Sequence, residues 1–136
     1  MKVRTSFITN SSSSSFCITN KSQDVLTLKD LMKDWKFRIQ EYYEDEYQFR
    51  ESYKNEEWGK EFLEKYPTFT DFYNQVLEDA DKLYSAQLKP NESIELECGD
   101  HPLEDGYASL FIHNTWDYLS QDDTKKFDIY FLESHH

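Results

Sequence analysis

The sequence predicts an α+β fold in which about three helices pack on one face of a small antiparallel sheet. Three observations carry that reading. Apolar residues recur at a seven-residue spacing through Leu28, Trp35, Tyr42 and Phe49, with Met32, Ile39 and Tyr53 as a companion row that only Glu46 interrupts. Residues three or four apart on that repeat line one stripe of a helix, and such a stripe needs burial. After Asn91 the period changes, and Ile94, Leu96 and Cys98 alternate with Glu95 and Glu97, the pattern of a strand with one wet face. Glycine and proline number three each in 136 residues, too few for a loop-rich sandwich.

Taken in order, residues 2–9 and 16–19 have the β-branched and aromatic content of short strands. Between them Asn10 and Ser11–Ser15 offer no apolar side chain and compete locally for backbone hydrogen bonds, so residues 1–22 form a Ser-rich strand and loop segment. The expectation is a joining loop or mobile arm that is dispensable for folding. The string Arg4-Thr5-Ser6-Phe7-Ile8-Thr9-Asn10 followed by Ser11–Ser15 and Phe16 resembles the amino ends of small uncharacterised proteins of bacteria and their phages, with Ser6 standing where those carry glycine. The resemblance covers about the first 18 residues. It implies a bacterial or phage source and no activity.

Thr27 with Asp30 three residues on has the form of a helix start. That helix follows the seven-residue stripe to about Tyr53, or breaks at Glu44–Glu46 where three carboxylates adjoin. Asn55 with Glu56 and Glu57 opens a second helix carrying Trp58, Phe62 and Tyr66, which Pro67 ends. Thr68 with Asp71 opens a third, with Phe69, Phe72, Tyr73, Val76, Leu77, Ala80, Leu83 and Tyr84 at helical spacing. Lys89–Glu92 reads as a turn. Strands over 94–98, 107–113 and 127–132 then form a carboxyl-terminal antiparallel meander, to which an amino-terminal strand or hairpin can be added. The length suits a single domain over 1–136.

The formal charge is −12, unevenly placed: residues 1–22 hold three cations and no carboxylate, whereas residues 92–136 hold eleven carboxylates against Lys125 and Lys126. Such a surface repels phosphates and anionic lipid, which excludes direct nucleic-acid or membrane binding as the expectation. No apolar run nears the roughly 18 residues of a membrane span, and the amino end lacks the hydrophobic segment of an export signal, so a cytoplasmic protein with Cys17 and Cys98 as reduced thiols is expected.

Sites of chemistry are sparse. Cys98-Gly99-Asp100-His101 has half the spacing of a zinc site, with His113 and Cys17 as distant completions, but Cys98 falls in phase with Ile94 and Leu96 and reads as a buried small hydrophobe. Asp79 with Asp81, or Glu95 with Glu97, has the look of a magnesium pair and fits a solvated face better. No metal or cofactor is expected. A nucleophile among Ser11–Ser15 or at Cys17, with His101 or His113 as base, is the alternative reading, a small hydrolase or transferase. The nucleophile elbow, the phosphate loop and the dinucleotide fingerprint are all missing. The preferred reading is therefore an interaction protein, uncertain as an enzyme and more plausibly none. It would bind a basic protein partner through a carboxylate-rich face made by Glu41, Glu44, Asp45, Glu46, Glu57, Glu61 and Glu64, in the manner of a DNA mimic.

Overall fold

The computed structural model describes residues 4–5, 13–114 and 124–135. Within them four strands form, β1 (Arg4–Thr5), β2 (Ser13–Asn20), β3 (Ser93–Gly99) and β4 (Phe127–His135). Six helices accompany them: α1 (Leu28–Asp34), α2 (Lys36–Ser52), α3 (Glu57–Lys65), α4 (Phe69–Leu83), α5 (Pro102–Asp105) and α6 (Tyr107–His113). The sheet order is β1-β3-β2-β4, with β1 parallel to β3 and β2 antiparallel to both its neighbours. Phe16 is in register with Leu96 and Phe131, and Ile18 with Ile94 and Ile129. The two-residue period sends these side chains to one face. There Phe16, Ile18, Ile94, Leu96, Cys98 and Phe127 join Leu31, Trp35, Phe72 and Val76 in one buried cluster. The α+β class and the packing of helices on an antiparallel sheet follow the sequence reading.

Three of the strand expectations do not hold. Residues 107–113 form α6, and every residue from Tyr107 to Ile112 is buried. A segment buried on all sides shows no period, so its composition alone does not separate strand from helix. Local chemistry decides for helix: Gly106 adopts φ 86°, and Asp79 Oδ2 on α4 accepts a 2.8 Å hydrogen bond from the Tyr107 N–H, satisfying a donor that α6 leaves open. The sheet is accordingly no carboxyl-terminal meander, since amino-terminal β2 occupies its interior. The serine tract is corrected for the same reason. Ser13, Ser14 and Ser15 lie within β2 and are buried, Ser14 2% and Ser15 1% exposed. A ladder on both sides satisfies their backbones better than local side-chain bonds do. Ser11, Ser12 and most of the first expected strand lie outside the described residues. The Glu95–Glu97 face, expected to be wet, holds Glu95 buried and Glu97 half-buried, because β3 is flanked by a strand on each side.

The helical half keeps closer to the sequence. Asp30 Oδ2 accepts from the Thr27 N–H at 2.8 Å, and Thr68 Oγ1 accepts from the Asp71 N–H at 3.3 Å, so both expected starts are present. The break in the long stripe falls at Trp35, which ends α1 and begins α2, and α2 passes through Glu44–Glu46 without interruption. Buried Asn20 ties the sheet to the helices, donating to the Asp24 and Leu88 carbonyls and accepting from the Ser22 N–H and hydroxyl. Asn91 at φ 68° makes the turn before β3.

Candidate functional site

The seven-residue stripe enters the core at one end and leaves it at the other. Leu28, Met32, Trp35 and Ile39 are buried, and Tyr42 packs on Phe72 and Phe111 at ring distances of 5.9 and 5.1 Å. Two and three turns further on, Phe49 and Tyr53 are 50% and 46% exposed. Trp58, at the start of α3 and 42% exposed, completes a surface cluster: the three rings lie 5.2 to 5.7 Å apart. Arg50 holds this hairpin together. Its guanidinium pairs with Glu46 at 2.7 Å, donates to the Trp58 carbonyl at 2.7 Å, and lies over the Trp58 and Phe62 rings. Gly59 allows the approach, because a Cβ there would stand 2.4 Å from the Tyr53 carbonyl oxygen.

The seven carboxylates expected to form one face divide among three settings. Glu41, Glu44 and Asp45 lie exposed on α2, with Glu41 paired to Arg38 at 3.1 Å. Glu46 points the other way, half-buried in its pair with Arg50. Glu57, Glu61 and Glu64, at i, i+4 and i+7, share one exposed stripe of α3. Lys60 reaches Glu64 at 3.9 Å, while Glu57 and Glu61 enter no ion pair among the described residues. Carboxylate spacing was legible in the sequence. The aromatic cluster beside it was not singled out, because Phe49 and Tyr53 read as a continuation of the core stripe.

A groove of about 250 Å³ runs from Trp58 past Phe62, Tyr66 and Tyr107 to Pro102 and Leu103. Leu103, on the far wall, is 85% exposed. The volume is below the range of about 300–1,000 Å³ typical of sites for drug-sized ligands, and suits a bulky side chain better than a cofactor. Its floor is inert at neutral pH. Burial, followed by the Asp79 and Glu78 carboxylates, pushes the Tyr66 hydroxyl up to about 12. Burial likewise raises Tyr107, then Tyr66 adds to it, and Arg50 draws it back. A wider, open hollow lies along Tyr43, Tyr47 and Phe69 with Glu44 and Asp45 on its lip.

The residues considered for chemistry are not assembled into a catalytic site among the described residues. The Cys98 thiol is fully buried and its ionisation is pushed well up by desolvation, which the Ser109 hydroxyl only partly offsets. His113 Nδ1 lies 3.2 Å from the Cys98 carbonyl oxygen. Asp79 is committed to Gln75 and the Tyr107 N–H, and Asp81 lies 4.0 Å from Lys29. No three His, Cys, Asp or Glu side chains among the described residues are grouped to hold a metal ion. No helix among them is long and apolar enough to cross a membrane.

Comparison with protein-family models, curated proteins and solved structures finds no match.

Proposed function

We propose that this chain is a small acidic interaction protein that binds a basic protein partner through the carboxylate face of its α2–α3 hairpin. One observation carries the reading. Glu57 and Glu61, exposed and without ion pairs among the described residues, flank an aromatic cluster that nothing described covers. Exposed apolar surface rimmed by charge is the usual form of a protein-binding site. A pure DNA mimic is the weaker version of this reading. Glu57 to Glu64 extends over about 10 Å of helix with three charges, whereas duplex DNA places one charge per about 1.7 Å. The hydrolase or transferase alternative loses Ser13–Ser15, which are interior strand residues, and keeps Cys17, which is partly exposed, as its candidate nucleophile.

Charge reversal tests it. The combined substitutions Glu57→Lys, Glu61→Lys and Glu64→Lys should abolish low-salt capture of a basic protein from a bacterial lysate. Reversal of Glu78 and Asp81 on α4 should leave capture intact. Equal capture by both variants would refute the assignment to this hairpin.

A further inference from the structure

Resting on that reading, we infer that the partner's contact is an amphipathic helix, basic on its flanks, whose apolar face seats on Phe49, Tyr53 and Trp58 and sends one bulky side chain into the groove toward Leu103. The argument begins with burial. A repeat that keeps Leu28 to Ile39 out of water continues into Phe49 and Tyr53, which no element among the described residues covers. Aromatic side chains of this size, clustered at ring distances under 6 Å, supply large contact area with few rotatable bonds, which is why Trp and Tyr dominate binding hot spots. The groove prolongs this surface: Trp58 belongs to both, and Pro102 and Leu103 form its opposite wall. A strip of apolar surface leading to one pocket is the shape that an amphipathic helix with anchors at i, i+3 or i+4, and i+7 fills.

Charge selects among occupants. Residues 44–65 carry eight carboxylates against Arg50, Lys54, Lys60 and Lys65, and Arg50 is already taken by Glu46 and Trp58. A second copy of the chain would bring the same carboxylates against these, so self-association through this face is opposed electrostatically. A helix carrying Lys or Arg beside its apolar stripe meets Glu57 and Glu61 instead. Arg50, held under the rings, fixes the platform and is not available to attract an anion.

The test uses the full chain and three synthetic helical peptides of about 16 residues, a length that covers roughly 24 Å of helix. The first has a leucine stripe with lysine flanks, the second the same stripe with glutamate flanks, and the third the first peptide's composition scrambled to destroy the stripe. The expected result is binding of the first alone, weakened severalfold between about 0.1 and 0.5 M salt. Trp58→Ser and Phe49→Ser, both at exposed positions, should each weaken it by about tenfold or more, with a cooperative melt and an unchanged circular dichroism spectrum showing that the fold is kept. Two results would overturn the inference while leaving the acidic-partner reading standing: the scrambled basic peptide binding as tightly as the first, or both serine variants binding like the parent. Binding of the acidic-flanked peptide instead would remove both, whereas no binding of any peptide would overturn the inference and leave the acidic-partner reading to the charge-reversal variants. A concentration-dependent dimer in the parent that Trp58→Ser dissolves would assign the surface to a second copy and overturn the inference.

Discussion

The Tyr43 hydroxyl on α2 donates a 2.7 Å buried hydrogen bond to the carbonyl of Tyr66, the residue that closes α3. It joins the two helices of the hairpin at the end away from Trp58, amid contacts of the Tyr43 ring with Phe62, Phe69 and Phe72. Replacing Tyr43 by Phe keeps those rings in contact but leaves a buried carbonyl without this donor, so unfolding free energy should fall by about 1–2 kcal/mol. Denaturant melts read it directly. A change near zero would mean that water replaces the hydroxyl.

The same cluster makes the fold sensitive to alkali. Tyr66 is shifted from 10.0 up to about 12 by burial and the nearby carboxylates, and Tyr43 and Tyr107 are shifted upward mainly by burial. A raised folded value means that the unfolded chain loses its phenolic protons first. The Tyr66 contribution is whole below pH 10 and is lost as pH rises through about 12. Denaturation midpoints should hold steady up to about pH 10 and drop above it, and the drop should be smaller in Tyr66→Phe, which has no phenol to ionise. An equal drop in Tyr66→Phe would show that this hydroxyl does not carry the effect.

Beside Tyr66 and Tyr107, Asp79 and Gly106 set the start of α6. Asp79→Ala removes the acceptor of the Tyr107 N–H and of Gln75, and should lower stability by about 1–2 kcal/mol. Gly106→Ala should lower it by about as much, since φ is 86° and the added Cβ would lie 3.1 Å from Asp79. Thermal melts of both variants check this, and a neutral Gly106→Ala would mean that the turn has another conformation open to it.

The helices and the Ile94–Cys98 strand could be read from the sequence because apolar and polar residues alternate at each element's own period, although the Glu95–Glu97 face is largely buried in the fold, and the turn at Pro90–Asn91 could be read from its residue types. What could not be read lies where that contrast vanishes. α6 is buried all round, and Ser13–Ser15 are interior although polar, so neither composition nor period assigned them correctly. At the candidate site the failure is the reverse: Phe49 and Tyr53 keep the core's period after the core has ended. Carboxylate spacing on α3 was visible, but whether Glu46 faces solvent or Arg50 depends on the hairpin geometry, which only the folded chain supplies.

The burial of the serine tract changes what its substitution should do. β2 is bonded to β3 on one side and β4 on the other, and Ser14, in register with Cys98 and Ser134, lies before the register shift between Ser15 and Phe16, so its N–H serves a ladder. Ser14→Pro removes that donor and fixes φ in an interior strand, and should destabilise by about 3 kcal/mol or more. Phe16→Ala should fall in the range of about 3–5 kcal/mol for loss of a buried aromatic. Melts showing little loss from Ser14→Pro would return the tract to the loop that its composition suggests.

Gly59 decides how the binding surface is built. It sits on the first turn of α3, where a Cβ would stand 2.4 Å from the Tyr53 carbonyl oxygen and 3.0 Å from that of Arg50. Both neighbours are backbone, so neither can swing aside, and α3 must move away from the end of α2 if a methyl is added. That movement opens the contact of Trp58 with Phe49 and Tyr53 and pulls its carbonyl from Arg50. Gly59→Ala should therefore lower stability by about 1–3 kcal/mol, the range for overpacking, despite alanine's better helix propensity of about 1 kcal/mol. It should also change Trp58 fluorescence, read as the emission lost when Trp58→Phe is added, which leaves Trp35 and Trp116 in place. A stabilised Gly59→Ala protein with unaltered emission would show that the two helices do not approach this closely, and the aromatic cluster would lose the backbone contact that assembles it.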